Sequence, residues 1–339
     1  MNILITGGAG FIGSALCRYL LQHTAHRLIV VDSLTYAANV KAISELQLNT
    51  RYILCNVDIC DAVSVYQIFN QYNPQAVMHL AAESHVDNSI NAPAAFIQTN
   101  IVGTYTLLEQ SLRYWQQLTL TAKDAFRFLH VSTDEVFGDL ANSSLLFTEQ
   151  TPYAPSSPYS ASKASADHLV KAWYRTYGLP VMISNCSNNY GPGQHAEKLI
   201  PKAIINLLQG KAVPLYGDGQ QKRDWLYVDD HAAALYQVLS KGRIGQSYLI
   251  GGNSQLSNLS LVHKIADAID ELSMFGKCPA LMTDRHSLVT FVADRAGHDV
   301  CYGVDSGKIF IEMGWRPAEK LSSGLKKTVL SMMPESAAE

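Results

Sequence analysis

Two short stretches of the sequence carry side chains whose types and spacing suit proton transfer. In STDEVFGD, residues 132–139, the adjacent carboxylates of Asp134 and Glu135 follow the apolar run of residues 126–131. By itself this stretch is typical of a turn with a helix cap, because Ser, Thr and Asp favour both positions. In PYSASK, Tyr159 and Lys163 are four residues apart. On a helix that spacing places both side chains on one face, within reach of each other.

A glycine-rich segment near the N-terminus predicts a binding loop for a dinucleotide. GGAGFIG, residues 7–13, joins a predicted strand to a predicted helix. Glycines let the backbone approach a pyrophosphate closely, and the helix N-terminus stabilises its charge. Asp32 ends the next predicted strand about 20 residues on, where a carboxylate hydrogen-bonds a ribose diol and repels the 2′-phosphate of NADP. We therefore predict NAD as cofactor; the alternative is that Asp32 only caps the strand end.

With such a cofactor, Tyr159 and Lys163 predict a general base. A phenol has a pKa near ~10, which is too high for a base at neutral pH. A nearby ammonium, together with the positive charge of an oxidised nicotinamide, favours the phenolate. Such a base suits the oxidation of an alcohol. The alternative is an amphipathic helix on which a single lysine extends toward solvent.

The elements that must position these groups alternate in the order of an α/β doubly wound fold. Short runs rich in Val, Ile and Leu predict parallel strands that are buried on both faces. The predicted strands are residues 2–6, 27–32, 51–57, 76–81, 126–131, 180–185 and 247–251. The predicted helices include residues 13–22, 62–72, 93–117 and 159–177. This order favours a Rossmann-type parallel sheet.

The composition of the chain changes after about residue 190, where Gly and Pro become denser and the predicted strands become short. We predict an NAD-binding Rossmann domain at residues 1–189, with return segments around residues 225–251. Residues 190–339 are predicted to form a smaller mixed α/β domain that binds the substrate. A chain of 339 residues is long enough for about two domains.

Composition and charge restrict the class of protein. A hydrophobic content of 47% with 16% charged residues fits a soluble globular protein. The net charge of -3 provides no large basic field, so we expect no nucleic acid partner. We find no secretory signal and no apolar run of about 18 residues, and we expect a cytoplasmic protein without a membrane partner. The six cysteines are scattered without metal-ligand spacing, which predicts reduced thiols and no metal.

Together, the glycine loop, Asp32, the strand end at Ser132-Thr133 and the Tyr159/Lys163 pair resemble the extended short-chain dehydrogenase/reductase superfamily. Within it, STDEVFGD resembles the signature of the dTDP-glucose 4,6-dehydratases, whereas epimerases of the superfamily generally have small or uncharged residues after the Ser/Thr. The resemblance covers nearly the full chain. Its further blocks are AAESHVD (81–87), FIQTNIVGTYTLLE (96–109), TPYAPSSPYSASKASADHLV (151–170), NCSNNYGP (185–192), EKLIP (197–201), RDWLYVDDHA (223–232) and DRAGHD (294–299).

This resemblance implies a role for each group of the two stretches. Tyr159 takes the proton of the C4 hydroxyl while NAD accepts the C4 hydride, and Thr133 orients that oxygen. Glu135 removes the C5 proton, and a protonated Asp134 donates to the C6 hydroxyl, which leaves as water. Hydride then returns to C6, and Glu135 returns a proton to C5. Burial and mutual repulsion can separate the pKa values of two adjacent acids; the assignment of Asp134 as the acid rests on the resemblance.

The remaining site predictions follow the matching blocks. Cations are needed for a diphosphate, and Arg is well shaped for bidentate contact; the alternative for each cation is a solvated surface role. The predicted cofactor contacts are Gly7, Gly10, Phe11, Ile12, Gly13, Asp32, Ser33, Leu34, Thr35, Asp58, Ile59, Leu80, Ala81, Ala82, Ser84, Thr99, Tyr159, Lys163 and Asn189. The predicted substrate contacts are Ser84, Thr133, Asn188, Glu197, Lys198, Pro214, Tyr216, Arg223, Asn258, Arg295 and His298.

Several positions depart from the pattern of the dehydratases, although none is among the five predicted catalytic residues. The family commonly has Arg, Tyr and Pro at the positions of Asn88, Phe137 and Ala296, and Arg near Ala233 and Cys301. Aromatic residues or proline are usual in the stretch written here GQHAEK, residues 193–198, which includes Gln194 and His195. Loss of cations could weaken diphosphate binding or alter the nucleotide preference.

The resemblance implies NAD-dependent conversion of a nucleotide-linked hexose, dTDP-glucose first, to a 4-keto-6-deoxy sugar. One alternative is an epimerase, or a dehydratase of UDP- or GDP-linked sugars. Another is a catalytically silent NAD-binding protein, although such a protein has no need of Tyr159, Lys163, Asp134 and Glu135 together. The helices at residues 93–117 and 159–177 resemble the family's dimer-forming pair, so we expect a homodimer.

Overall fold

The computed structural model describes residues 1–141 and 145–333, so the last six residues of the predicted second domain lie outside the description. The strands are β1 (Asn2–Thr6), β2 (Arg27–Asp32), β3 (Tyr52–Asn56), β4 (Ala76–His79), β5 (Arg127–Thr133), β6 (Val181–Cys186), β7 (Asn188–Tyr190), β8 (Val213–Tyr216), β9 (Lys222–Tyr227), β10 (Ser247–Ile250), β11 (Gln255–Ser257) and β12 (Val289–Val292). The α-helices are α1 (Phe11–His23), α2 (Val40–Leu46), α3 (Ala62–Tyr72), α4 (Val86–Asn91), α5 (Pro93–Phe96), α6 (Thr104–Gln116), α7 (Leu120–Ala125), α8 (Pro158–Tyr177), α9 (Leu199–Leu208), α10 (Val228–Lys241), α11 (Asn258–Met274), α12 (Gly307–Met313) and α13 (Leu321–Ser331). Within the described residues, no helix is long and apolar enough to cross a membrane.

A seven-stranded sheet forms the centre of the molecule, in the order β10-β6-β5-β4-β1-β2-β3. Every pair of neighbouring strands in it is parallel. Both faces are covered: Ile3 and Ile5 belong to one core cluster, and Leu4 belongs to the cluster on the opposite face. This alternation follows from the two-residue period of a strand. The predicted doubly wound, Rossmann-type α/β fold is confirmed.

The order of the strands reverses between β1 and β4, which creates a crevice at their carboxyl ends. On the other side of β4, β5 and β6 pair as far as Thr133 and Cys186. The strand prediction for residues 126–131 therefore ends too early, because pairing with β6 carries β5 on through Ser132 and Thr133. The acid pair consequently begins at the same edge of the sheet as the glycine loop.

The predicted continuous helix at residues 93–117 is wrong in its middle. A π-helical segment, Ile97–Gly103, separates α5 from α6. Asn100 within it donates through Nδ2 to the Glu83 carbonyl at 3.0 Å and to the Ser162 hydroxyl at 2.8 Å. These contacts to two other segments favour the widened turn, a feature common in π-helical insertions near functional sites.

The chain returns to the central sheet after β9. Helix α10 packs on α1, and β10 pairs with β6. Two small sheets, β11-β9-β7 and β12-β8, lie in the C-terminal part of the described chain. A separate core cluster unites residues of α9, α11 and α13, including Ile204, Ile265 and Val329. The smaller mixed α/β region is confirmed, whereas the exact domain boundary at residue 189 stays a prediction.

Candidate active site

The glycine loop connects β1 to α1 in a backbone path that larger residues would block. Gly7 has φ of 71°, and a Cβ added there would lie 2.6 Å from the backbone nitrogen of Ala81 in the loop after β4. A Cβ at Gly13 would lie 2.1 Å from the carbonyl oxygen of Gly7. Helix α1 has no acidic residue in its first turn. Its N-terminus therefore offers amides and a positive dipole to an anionic group.

Asp32 closes this loop from the neighbouring strand. Its Oδ2 accepts a hydrogen bond from the Ala9 amide at 3.0 Å, and its Oδ1 accepts one from the Leu34 amide at 2.9 Å. The carboxylate thus caps the end of β2, as the alternative interpretation held, and it also faces the space in front of the loop. The two roles are compatible, because a carboxylate has lone pairs for several donors.

One cleft of about 1210 Å³ runs from this loop to the C-terminal region. It is lined by all the predicted site residues except Leu34 and Asp134. Leu34 has φ of 52° and an exposed side chain, and its role as a cofactor contact stays a prediction. Only its backbone takes part, through the hydrogen bond to Asp32. Asp134 is 1% exposed and lies behind Thr133.

Thr133 links the two acids at the end of β5. Its Oγ1 donates to Asp134 Oδ1 at 3.3 Å and accepts from the Glu135 amide at 3.3 Å. A 3-10 helix, Asp134–Phe137, starts here with Thr133 as its cap. The interpretation of this stretch as a turn with a cap is therefore also correct. The cap directs Glu135 into the cleft and leaves Asp134 buried beside the threonine hydroxyl.

The two carboxyl groups have different electrostatic surroundings. Burial, then Glu135 and Asp224, raise the pKa of Asp134 well above its ordinary value. Burial also raises the pKa of Glu135, but Lys198, Arg223 and Arg295 oppose that rise. At Asp134 the opposing positive charge comes from Arg223. This difference favours a neutral Asp134 beside an ionisable Glu135.

Tyr159 and Lys163 lie one turn apart in α8, and both are buried. The helix begins with Pro158 after a capping box at Ser157. Lys163 Nζ donates to the Val131 carbonyl in β5 at 2.9 Å. Burial first, then Glu135 and Cys186, raise the pKa of Tyr159. The protein groups alone hold a neutral phenol, so the predicted phenolate depends on the additional positive charge of an oxidised nicotinamide.

Three predicted cations surround the far part of the cleft. Arg223 donates through Nη2 to the Asp299 carbonyl at 2.9 Å, and its guanidinium lies 4.3 Å from the centre of the Tyr302 ring. Lys198 Nζ donates to the Ser84 carbonyl at 3.1 Å. Arg295 pairs with Asp87 at 3.4 Å. The alternative of a solvated surface role does not apply to Arg223, which is 6% exposed.

Several buried polar atoms in the lining have no partner among the described residues. They include Asn188 Oδ1, Gln194 Oε1, Asn258 Oδ1 and Arg295 Nε. Buried polar groups in native proteins almost always have a hydrogen-bond partner. A polar ligand in this cleft would satisfy them. Among the described residues, no group of three or more His, Cys, Asp or Glu side chains could hold a metal ion.

Tyr302 and Asp87 line the cleft but were absent from the predicted set. Asp87 accepts from the hydroxyl of Tyr216 at 3.3 Å and pairs with Arg295, so it joins two predicted substrate contacts. Its position at the end of AAESHVD was an available signal. Tyr302 lies just beyond DRAGHD, and only the folded chain brings its ring against Arg223.

The departures from the dehydratase pattern divide into two groups. Gln194 and His195 line the cleft, where Gln194 Nε2 donates to the Asn189 carbonyl at 2.8 Å. The other departures do not line the cleft; they are Asn88, Phe137, Ala233, Ala296 and Cys301. Their placement therefore gives no support for a direct loss of diphosphate contacts. Phe137, for example, stacks on Phe147 in a small core cluster.

Residues 4–328 match the family described as GDP-mannose 4,6 dehydratase. The chain belongs to this family. Among the curated members, a dTDP-glucose 4,6-dehydratase from Haemophilus influenzae is 57% identical over 329 residues, which are 97% of each chain. One from Neisseria meningitidis serogroup B is 56% identical over 97% of this chain and 92% of its own. The crystal structure of the dTDP-glucose 4,6-dehydratase of Streptomyces venezuelae with NAD bound superposes with a TM-score of 0.87, at 42% identity, and covers 98% of this chain and 96% of that chain.

Proposed function

We propose that this protein is an NAD-dependent hydro-lyase that converts dTDP-glucose to dTDP-4-keto-6-deoxyglucose. The observation that carries the proposal is the meeting of an alcohol-oxidising pair, Tyr159 and Lys163, with the Thr133-Asp134-Glu135 stretch at the edge of one cleft. Relatives at 57% and 56% identity are named for this reaction. An oxidation alone would leave the two carboxyl groups without a chemical task.

The residues of the first crevice fit NAD. The space in front of Gly7 and Gly13 is shaped by backbone that tolerates no Cβ, and the N-terminus of α1 faces it. Asp32 would accept from the ribose hydroxyls and would repel a 2′-phosphate, which favours NAD over NADP. When bound, NAD supplies a reversible hydride acceptor, which takes the hydride from C4 of the sugar and returns it at C6.

In the oxidation step, Tyr159 takes the proton of the C4 hydroxyl. Thr133 orients the same oxygen by a hydrogen bond from its own hydroxyl, which turns from Asp134 Oδ1 toward the substrate. Lys163 supplies a positive charge one helical turn below Tyr159, which favours the phenolate form. The 4-keto group produced in this step makes the C5 proton acidic.

In the elimination step, Glu135 removes the proton from C5, and Asp134 donates a proton to the C6 hydroxyl, which leaves as water. The raised pKa of Asp134, due first to burial, keeps a proton available for this donation. The cations near Glu135 favour its ionised form, as a base requires. After reduction at C6, Glu135 returns its proton to C5. The roles of the two acids are part of the proposal.

The nucleotide and diphosphate would occupy the C-terminal part of the cleft. Arg223, Lys198 and Arg295 supply the positive charge that a diphosphate needs, and Arg223 is held rigid by its carbonyl contacts. Guanidinium groups suit bidentate contact with phosphate oxygens. We propose a Rossmann domain that ends near residue 189 and a substrate domain beyond it, with residues around 225–251 returning to the first. The separate core cluster of α9, α11 and α13 supports this division.

We further propose a cytoplasmic homodimer. The six cysteines are all unpaired, which fits a reducing compartment. Helices α6 and α8 pack side by side. These helices and the π-helical segment before α6 leave apolar side chains in solvent, among them Ile97 at 47%, Tyr105 at 46% and Tyr177 at 48% exposure. Exposed apolar groups on adjacent helices are typical of a protein interface.

The reaction can be tested with dTDP-glucose that carries deuterium at C4. We expect a 4-keto-6-deoxy product with deuterium at C6, identified by NMR and mass spectrometry. An epimer formed without loss of water would indicate the epimerase alternative. Unchanged dTDP-glucose, with UDP- or GDP-glucose converted instead, would contradict the nucleotide assignment. No conversion of any of the three by the NAD-loaded protein would favour a catalytically silent role.

A further inference from the structure

A buried polar cluster lies directly beneath the Tyr159/Lys163 pair. Its centre is Asp167, which follows Lys163 by one turn of α8 and is fully buried. Residues four apart on a helix have their Cβ atoms about 5–6 Å from each other. The reaction described above assigns no role to this carboxyl group, since Asp167 does not line the cleft.

Three side chains hold the Asp167 carboxyl in place. Its Oδ2 accepts from the Tyr153 hydroxyl at 2.8 Å and from Asn185 Nδ2 at 3.1 Å. The same amide of Asn185 donates to the Thr133 carbonyl at 3.2 Å. On the other side, Oδ1 lies 3.1 Å from His130 Nε2. The carboxyl is therefore fixed between α8, β5 and β6.

Few of the titratable groups in this cluster carry a charge at neutral pH. Burial lowers the pKa of His130 to about 4 and lowers that of His79 well below its ordinary value, so both imidazoles are neutral at neutral pH. Burial also raises the pKa of Cys186 to about 12. Burial alone would raise the pKa of Asp167, but His130 and then Lys163 outweigh that effect and hold the pKa below its ordinary value.

Lys163 needs a partner of opposite charge. Its ammonium is buried, and burial lowers its pKa, while Asp167 is the first group that raises it again. A buried lysine without a counter-charge tends to lose its proton. A neutral Lys163 could not favour the phenolate of Tyr159. Asp167, rather than Asp134 or Glu135, is the carboxyl group that raises the pKa of Lys163.

We propose that Asp167 is a positioning residue for the oxidation step: its carboxylate is the counter-ion that keeps the Lys163 ammonium charged beneath Tyr159. This inference rests on the proposed function, because it assigns Asp167 a part in the same proton transfer. Asp167 acts through Lys163 and does not touch the substrate. Other titratable groups also surround Asp167 and Lys163. They are His79 on β4, His130 on β5, Cys186 on β6, Tyr153 before α8, Tyr159 and Lys171 on α8, and Asp134 and Glu135 after β5.

The test measures C4 oxidation alone as a function of pH. With dTDP-6-deoxyglucose, which has no C6 hydroxyl to eliminate, reduced nicotinamide accumulates and is followed by its absorbance in a single turnover. In Asp167→Asn, loss of the counter-ion lowers the pKa of Lys163 and thereby raises that of Tyr159. We expect the pH of half-maximal rate to move upward by about one unit or more, with about a tenfold loss of rate per unit below it.

The matched control is Tyr153→Phe, which removes one hydrogen bond to Asp167 but keeps its charge. We expect this variant to retain the half-maximal pH of the unmodified protein. An Asp167→Asn protein that is folded and NAD-loaded, yet has an unchanged or lower half-maximal pH, would overturn the inference. Failure of the unmodified protein to oxidise any dTDP-hexose would instead contradict the proposed function.

A double-mutant cycle covers the case in which Asp167→Asn does not fold. If the Asp167 carboxylate stabilises the Lys163 ammonium, adding Lys163→Met to Asp167→Asn removes the uncompensated ammonium and restores part of the lost stability. Where Asp167→Asn alone does not fold, we expect the double variant to fold; where it folds, we expect the thermal unfolding temperature of the double variant to exceed the value expected from the sum of the two single effects. Strict additivity, or failure of the double variant to fold where Lys163→Met alone folds, would count against this interaction.

Discussion

At the scale of single residues, the site assigns different environments to groups of similar chemistry. Asp134 and Glu135 are adjacent in sequence, yet one is buried beside a hydroxyl and the other faces three cations across the cleft. Their intrinsic pKa values are nearly the same. The difference in protonation comes from burial and neighbouring charge. This separation is the physical basis for one acid and one base in a single elimination.

The acid role of Asp134 is tested by Asp134→Asn. The amide keeps the size of the side chain but cannot donate a proton to the leaving hydroxyl. We expect C4 oxidation to proceed and elimination to slow by about 10²–10⁴, the usual contribution of a general acid. Rapid-quench mass spectrometry with C4-deuterated dTDP-glucose separates the two steps. Asp124→Asn, an exposed acid on α7, serves as control, and normal turnover in Asp134→Asn would exclude the assigned role.

The base role of Glu135 predicts a specific pH dependence. A base must be ionised, so elimination is lost as the pH falls through the pKa of Glu135. Arg295 lowers that pKa, and Arg295→Gln should therefore raise it. We expect the acidic limb of the elimination rate to move to higher pH by about one unit or less at saturating substrate.

The exposed Lys211→Gln is the matched control for loss of one positive charge. Its acidic limb should coincide with that of the unmodified protein. A limb that stays in place or moves to lower pH in Arg295→Gln would show that Arg295 does not act on Glu135.

At the scale of secondary structure, short connections place the chemistry. The loop after β1, the loop after β4 and the end of β5 all open at the same edge of the sheet, because parallel strands present their carboxyl ends together. The π-helical segment adds a second constraint, since Asn100 ties the backbone of Glu83 to Ser162 in α8. The Ser162 hydroxyl in turn donates to the Tyr159 carbonyl at 2.7 Å, so these contacts help to position Tyr159.

The glycine loop allows a comparison between two similar substitutions. In Gly13→Ala the new Cβ would lie 2.1 Å from the Gly7 carbonyl oxygen, so the loop or α1 must shift. We expect a loss of unfolding free energy of about 1–3 kcal/mol, typical of overpacking, together with loss of NAD. Thermal unfolding and the NAD content of the purified protein measure both effects.

Gly10→Ala is the matched variant. Its Cβ would have only an ordinary contact, 3.4 Å from the Gly7 carbonyl oxygen, but the residue lines the cleft. We expect the NAD-free protein to unfold at nearly its original temperature and to bind NAD more weakly. Equal losses of stability in both variants would contradict this explanation of the loop.

At the scale of the whole molecule, a parallel sheet covered on both faces presents one open edge to a second, smaller core region. The cleft lies where these two meet and draws its lining from both, with Asp32 at one end and Arg223 at the other. Such an arrangement lets one region hold a cofactor while the other recognises a substrate. The exposed apolar side chains on the outer face of α6 and α8 are the ones that the proposed homodimer would bury.

The proposed homodimer is tested by light scattering on the full chain. The substitutions Ile97→Glu and Tyr105→Glu together place two negative charges on this exposed face, which should prevent the formation of an apolar interface. We expect the unmodified protein at twice the mass of one chain and the double variant at the mass of one chain. Leu48→Glu, at a residue that is 86% exposed elsewhere, should leave the dimer intact. A monomeric unmodified protein would refute the proposal.

Local sequence patterns were sufficient for the fold class, and the resemblance to the dehydratases supplied most of the predicted cleft contacts. Strands buried on both faces, a glycine loop and a Tyr/Lys pair at helical spacing are signals that depend on neighbouring residues. The π-helical segment escaped prediction because its cause is a set of contacts from Asn100 to segments distant in sequence. The omission of Asp87 and Tyr302 has a similar cause, since each contacts an arginine far along the chain.

The sequence by itself determined the α/β order, the glycine loop and the identity of the groups available for proton transfer, because these depend on residue type and short spacing. Only the tertiary structure decided how those groups differ. It buried Asp134, surrounded Glu135 with three cations and set Asp167 beneath Lys163. Burial and the distance between charges depend on how separate strands and helices pack, and those quantities fix the protonation of each group.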